Sequence, residues 1–171
     1  SKAFKYILNQ GKCNFSPGGQ AHDVINIIKN YGLVTEEQYE GKAHGYKMHV
    51  HTELDFLLKV FIEGVLKTEN KEICQQWKQA FEGILDAYLG KLPLNVSQNG
   101  KTYTPIALKN EVYKINCSDY IELSSFTHHP YYSWFNLEVP DNWSGAQYFN
   151  LPCNDLISTI LTSLKKGYSV V

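Results

Sequence analysis

Four stretches of the chain place apolar residues at the i, i+3, i+4, i+7 spacing that gives a helix one buried face. The first follows Gly18-Gly19 and runs through "QAHDVINIIKNYG", with Val24, Ile25, Ile28 and Tyr31 on one side. Gly32 stands where a left-handed C-cap belongs, and Leu33 is placed to close it with an apolar contact. The second runs from Thr52, a candidate N-cap, to Lys67, with Leu54, Leu57, Phe61 and Val65 as its stripe. The third runs from Lys71 to Leu89, with Ile73, Trp77, Phe81, Ile84 and Tyr88 on one side and Gly90 as its stop. The short polar "TENK" between the second and third predicts an antiparallel helical hairpin. The fourth is "NDLISTILTSLKKG": Asn154 is a candidate N-cap, and Leu156, Ile157, Ile160, Leu161 and Leu164 form the stripe. Its two lysines complement the C-terminal dipole, and Gly167 ends it.

Between the third and fourth helices the period changes. "NVSQNGKTYTP" predicts a hairpin about Asn99-Gly100. "YIELSSF" and "YYSWFNLEV" are aromatic and β-branched enough for strands, and "YSVV" after Gly167 reads as a strand that has only begun. The fold class expected is α+β, mostly helical with a smaller antiparallel β portion. A single partial domain is expected, with a glycine-pair loop and helix over 1–41, a helical insertion over 42–92, and strands plus a last helix over 93–171.

Composition narrows the classes. Of 171 residues, 43% are apolar, enough for a core, and 19% are charged with a net charge of -1. A nucleic-acid-binding surface would carry a basic excess, so no nucleic-acid partner is expected. No apolar run approaches the length of a membrane span, and "SKAFKYILNQ" is too short and too broken by Lys for a signal peptide. The only methionine is Met48. That and the interrupted "YSVV" raise the expectation of a piece of something larger. Cys13, Cys74, Cys117 and Cys153 form no C-x-x-C pair and read as buried thiols, with a disulfide left open.

Candidate chemistry is sparse. His44, His49 and His51 lie close together in "HGYKMHVH", but no carboxylate stands at a convincing offset, so no metal is expected. His128 and His129 precede Pro130 in an aromatic-rich turn, and a dyad with Cys117 or Cys153 would need an orienting group that sequence does not show. His22, in a first helical turn, is expected to be partly exposed and idle. The Gly pair in "SPGGQAHDV" marks a turn and a helix start, without the G-x-x-x-x-G-K-[ST] pattern of a phosphate loop.

The order and spacing of "GKCNFSPGGQAHDVINIIKNYGLVTEEQYEG" change this weighing. The string resembles the segment of papain-like cysteine peptidases in which paired glycines precede a helix, then Tyr-Gly-[Ile/Leu], then Tyr-x-Gly. Gly18 and Gly19 match the pair, "NYGLV" the end of the helix, and "YEG" the turn from Tyr39 to Gly41. "HVHTELDFLLKVFIEGVLK", "WKQAFEGILDAYLG" and "DYIELSSFTHHPYYSWFNLEVPDNW" are similar to the bleomycin hydrolase and aminopeptidase C branch, particularly its Bacteroides-type members.

The resemblance also fixes the register of "NQGKC", which spells part of that family's oxyanion and nucleophile motif through Gln10, Gly11 and Cys13. With Gly18-Gly19 as the paired glycines, the nucleophile segment belongs well upstream, so "NQGKC" is not that motif and Ser16 is no replaced nucleophile. Where the papains place a disulfide cysteine, this chain has Ser16. The resemblance implies that the catalytic Cys, the oxyanion Gln, the His and its Asn lie outside these residues, which contain no catalytic residue. It also implies a substrate-binding role for Gly18, Gly19, Gln20 and Ala21: Gly19 pairs with an extended substrate backbone, and Gln20 and Ala21 line neighbouring pockets. The implied partners are a peptide substrate and either the rest of the peptidase chain or further copies of it. No cofactor and no membrane are implied, and the location is cytoplasmic or exported in a bacterium. The alternative is a non-catalytic, peptide-binding or partner-dependent relic of the same family.

Overall fold

A computed structural model describes residues 1–42, 47–67 and 75–171. In chain order these form α1 (Lys2–Leu8), α2 (Ala21–Tyr31), α3 (Thr52–Leu66), α4 (Gln76–Leu89), β1 (Val96–Gln98), β2 (Lys101–Tyr103), the short α5 (Pro105–Ala107), β3 (Leu123–Ser124), β4 (Ser133–Asn136), β5 (Gln147–Asn150) and α6 (Cys153–Lys165). The α+β class expected from the pattern is the one observed.

The helical core lies where α1, α3 and α4 meet. Ala3, Tyr6 and Ile7 of α1 pack with Ile62 of α3 and Trp77 of α4, and Phe15, Phe61 and Phe81 close around them. Helix α1 was not anticipated. Its signal is only two turns long, but its parts are local: Ser1 Oγ accepts the Phe4 N–H at 3.3 Å, and Ala3, Tyr6 and Ile7 share one face. Packing against α1 and α4 selects the face of α3. Of the expected stripe, Leu54 is buried and Phe61 and Val65 pack against the core, whereas Leu57 is exposed and Ile62, outside the stripe, is fully buried. His51, not Thr52, precedes the first turn of α3, its carbonyl accepting the Asp55 N–H at 2.8 Å. Helix α4 packs on α3 as expected, although the "TENK" link and Lys71 to Cys74 lie outside the described residues. Gly90 ends α4 at φ 84°, its N–H bonded to the Asp86 carbonyl.

The Asn99-Gly100 hairpin forms in the expected register, with Gln98 opposite Lys101. Asn99 and Gly100 have φ 51° and 75°, the double positive φ of a type I′ turn. Thr104 then caps α5, which continues into a wide π turn over Leu108–Val112. The end of α2 docks here. Gly32 sits at φ 82° with an ideal Cβ position 2.2 Å from the Pro105 carbonyl carbon, and the Leu33 N–H donates to the Pro105 oxygen at 3.2 Å. That close approach, together with the positive φ, is why the position is glycine. The stripe expected on α2 is only half-covered: Val24 and Tyr31 are exposed, and no residue of the helix is fully buried.

The second sheet corrects the expectation of purely antiparallel strands. Its order is β3-β5-β4; β4 and β5 run antiparallel, but β3 joins β5 in parallel through Leu123↔Phe149 and Ser124↔Asn150. Strand β5 was not predicted because one of its inward residues is polar. Tyr148 and Asn150 face in, and Asn150 is fully buried. Helix α6 begins at Cys153 behind Pro152, so Asn154 lies inside its first turn and is not the cap. Leu161 and Leu164 of its stripe stay half-exposed, and "YSVV" forms no strand. No helix among the described residues is long and apolar enough to cross a membrane.

Candidate functional site

The Gly18-Gly19 pair forms an exposed bend leading into α2. Gly18 has φ 100°, and nothing lies within 4 Å of where its Cβ would stand. Its carbonyl accepts Lys2 Nζ at 3.2 Å, and the Ser16 carbonyl accepts the same ammonium at 2.7 Å, which ties the bend to α1. Among the described residues, no hydrogen bond engages the Gly18 or Gly19 N–H or the Gly19 carbonyl. At Gly19 a Cβ would fall 2.6 Å from Asp23 Oδ2, so a side chain there would displace that carboxylate. That carboxylate reaches back to accept the Gln20 N–H at 3.0 Å, half of a capping box at the start of α2.

Behind the bend the first turn of α2 is bolted to the second sheet. The His22 backbone N–H donates to Glu122 Oε1 at 2.8 Å, and its Nδ1 lies 2.6 Å from Glu122 Oε2. Its Nε2 is 2.7 Å from Ser144 Oγ, and Asp23 Oδ1 is 3.6 Å away. The side chain is only 12% exposed. The expectation of an idle, partly exposed His22 is therefore wrong: its partners stand 100 and 122 residues away, where no local pattern points. Tyr148 of β5 lies edge-on to the imidazole with centroids 6.0 Å apart and donates its OH to Gln20 Oε1 at 2.8 Å. Burial, then the Glu122 carboxylate, pushes the Tyr148 phenol up to about 12. Gln20 thus points inward to Tyr148, while Ala21 is exposed at the first position of α2.

Glu122, His22 and Ser144 stand in the order of orienter, base and hydroxyl found in hydrolytic triads. Such a triad also needs donors aimed at a developing oxyanion. The two amides that follow Ser144 are already bonded: Gly145 N–H to the Asn142 carbonyl at 3.1 Å, and Ala146 N–H to Asn142 Oδ1 at 3.0 Å. Asn142 is itself buried and also donates to the Leu137 and Ala146 carbonyls. The network is a clamp that holds the glycine bend against the sheet. Its members Glu122, Ser144 and Tyr148 carried no signal in the sequence.

The other candidates separate clearly. Gln10 and Gly11, at φ 52° and 75°, close the C-terminus of α1, with the Gly11 N–H bonded to the Tyr6 carbonyl. Cys13 therefore follows the C-terminus of α1 and packs beside the helical core. Cys13, Cys117 and Cys153 are free thiols, and Cys74 lies outside the described residues. His129 stacks on Phe135 at 4.2 Å and His128 lies edge-on to Phe126, so both are engaged in the aromatic turn. Among the described residues no three His, Cys, Asp or Glu side chains gather as a metal site; His44 lies outside them.

No protein-family model matches the chain. It is 22% identical over 174 residues to aminopeptidase G of Lactobacillus delbrueckii subsp. lactis, across 90% of this chain and 40% of that protein. In three dimensions it is similar to PepW from Lactobacillus rhamnosis HN001 (DR20), solved as the selenomethionine derivative. The TM-score is 0.71 at 17% identity, over 98% of this chain and 46% of that one. The shared fold covers nearly all of this chain, which spans less than half the length of either protein.

Proposed function

We propose that these residues form the substrate-binding side of the cleft of a papain-like cysteine aminopeptidase of the bleomycin hydrolase and aminopeptidase C branch. The nucleophilic Cys, its Gln, the His and the Asn stand outside them. The observation that carries this reading is the bare glycine bend: an exposed Gly18-Gly19 backbone whose N–H groups and Gly19 carbonyl have no partner among the described residues, held from behind by the clamp. A strand-like peptide pairs with such a backbone without its side chains being read. The clamp of His22, Glu122, Ser144 and Tyr148 fixes the bend before substrate arrives, so less ordering entropy is lost on binding. The likeness in sequence to a protein named aminopeptidase G and in fold to PepW supports a peptidase-related role.

The test is hydrolysis of aminoacyl arylamides by the protein from the complete reading frame, wild type against Gly18→Ala and Gly100→Ala. Both glycines have positive φ and open space at the Cβ position, so each alanine meets backbone strain without a steric clash. Thiol-dependent hydrolysis is expected, with Gly18→Ala lowering kcat/KM about tenfold, the effect of a slightly misplaced substrate, and Gly100→Ala leaving it unchanged. No hydrolysis, or equal effects of the two substitutions, contradicts the reading.

A further inference from the structure

At the far end of α2 from the glycine bend, an open cavity of about 390 Å³ lies between the last turn of that helix, the π turn and the bend at Asn116–Ser118. Three lysines line it: Lys29 from α2, Lys109 inside the π turn, and Lys114 just after it. No carboxylate lines it. None of the three ammonium groups makes a hydrogen bond or salt bridge among the described residues. The nearby Asp119 accepts Asn116 Nδ2 at 2.7 Å.

Lys109 is the telling member. It is only 9% exposed, although a lysine is almost never buried without a partner. Every fully buried side-chain nitrogen or oxygen among the described residues has a hydrogen-bond partner, and the Lys109 ammonium has none. The head group is therefore not sealed from solvent, and Lys109 lines this cavity. The backbone is arranged around it. The wide π turn carries Lys109, and its carbonyl accepts the Ile115 N–H at 3.1 Å, folding the chain back. Lys114 is held at φ 53°, a conformation that costs a non-glycine residue roughly 1 kcal/mol. π turns and strained backbone recur at functional sites.

We propose that this cavity binds a multiply charged oxyanion of the phosphate class, either inorganic phosphate or a phosphate group on a small molecule. Lysines from three places in the chain line one open cavity with no carboxylate among its lining, and a compact dianion can accept from several ammonium groups at once. The site is distinct from the glycine bend, since Lys29 lies eight residues beyond Ala21, about 12 Å along α2 from the end that follows the bend. Its failure would leave the peptidase reading untouched.

Isothermal titration of the complete protein with inorganic phosphate tests it, alongside adenosine monophosphate, succinate and chloride at matched ionic strength. Lys109→Met keeps the buried stem and removes the charge. Lys114→Asn keeps a residue tolerant of positive φ. Lys101→Gln, in the exposed hairpin, is the control, and circular dichroism checks that each variant is folded. Saturable one-to-one phosphate binding is expected, weakened about tenfold or more by Lys109→Met and by Lys114→Asn and unchanged by Lys101→Gln. Tighter binding of adenosine monophosphate than of phosphate would identify an organic phosphate as the ligand, and the reverse the free ion. If Lys109→Met does not fold, the Lys114→Asn result decides. Absence of saturable phosphate binding, equal binding of succinate or chloride, or binding insensitive to the folded cavity variants overturns the proposal.

Discussion

Asn150 shows how one polar residue can organise a strand and a turn together. Fully buried, it donates through Nδ2 to the Phe126 and His129 carbonyls at 2.9 and 3.0 Å and accepts the Phe126 N–H at 2.8 Å. Asn150→Leu fills similar volume but strips the buried backbone groups of their partners. A loss of about 3 kcal/mol is expected, read as a fall of roughly 6–12 °C in the thermal midpoint. Tyr148 makes a pH prediction. Its folded pKa, pushed up to about 12, lies above the ordinary value of 10.0, so the folded state holds the phenol proton more tightly than the unfolded chain does. This contribution is complete below pH 10 and is lost as pH rises from about 10 to about 12. Wild type should lose stability more steeply than Tyr148→Phe across that window in denaturant titrations; parallel curves would refute the assignment. Residues such as Asn150 and His22 were illegible in the sequence because their value lies in partners more than twenty, and up to 122, positions away. Gly90 and Gly100 were legible as turn residues because a positive φ at a helix or hairpin end is a local matter, whereas the contact of Gly32 with Pro105 was not.

At the scale of elements, the sequence spoke most clearly where period and turn chemistry agreed. The Asn99-Gly100 hairpin and the Gly32 and Gly90 helix stops needed only neighbouring residues, and all three formed where expected. Strand β5 and the parallel pairing of β3 depend on an inward asparagine and on a non-sequential neighbour, which no alternation pattern encodes. Similarly, α3 packs against both α1 and α4, so Ile62 is buried beside the stripe residue Leu54 and Leu57 is not. The junction of α2 with α5 yields the sharpest test at this scale. Gly32→Ala would drive a methyl group into the Pro105 carbonyl while demanding a positive φ from alanine. The expected cost is several kcal/mol, on the order of 3 or more, seen as a large drop in the denaturation midpoint. Gly83→Ala, inside α4 with open space around it, should instead stabilise slightly.

At the scale of the whole molecule, the helical core and the second sheet hold the two ends of one arrangement. Helix α1 ties the bend through Lys2, and the sheet ties the first turn of α2 through Glu122. Lys5 of α1 also donates to the Trp143 carbonyl in the β4–β5 connection, next to Ser144. On the proposed reading these residues fix a backbone surface, and among the described residues Cys13, Cys117 and Cys153 take no part in the clamp. The central claim is tested most directly by labelling the active complete protein with a thiol-directed, substrate-like inhibitor and locating the modified residue by mass spectrometry. The account predicts that inactivation tracks modification of a cysteine other than Cys13, Cys74, Cys117 and Cys153. Stoichiometric modification of Cys13 in step with loss of activity would contradict it.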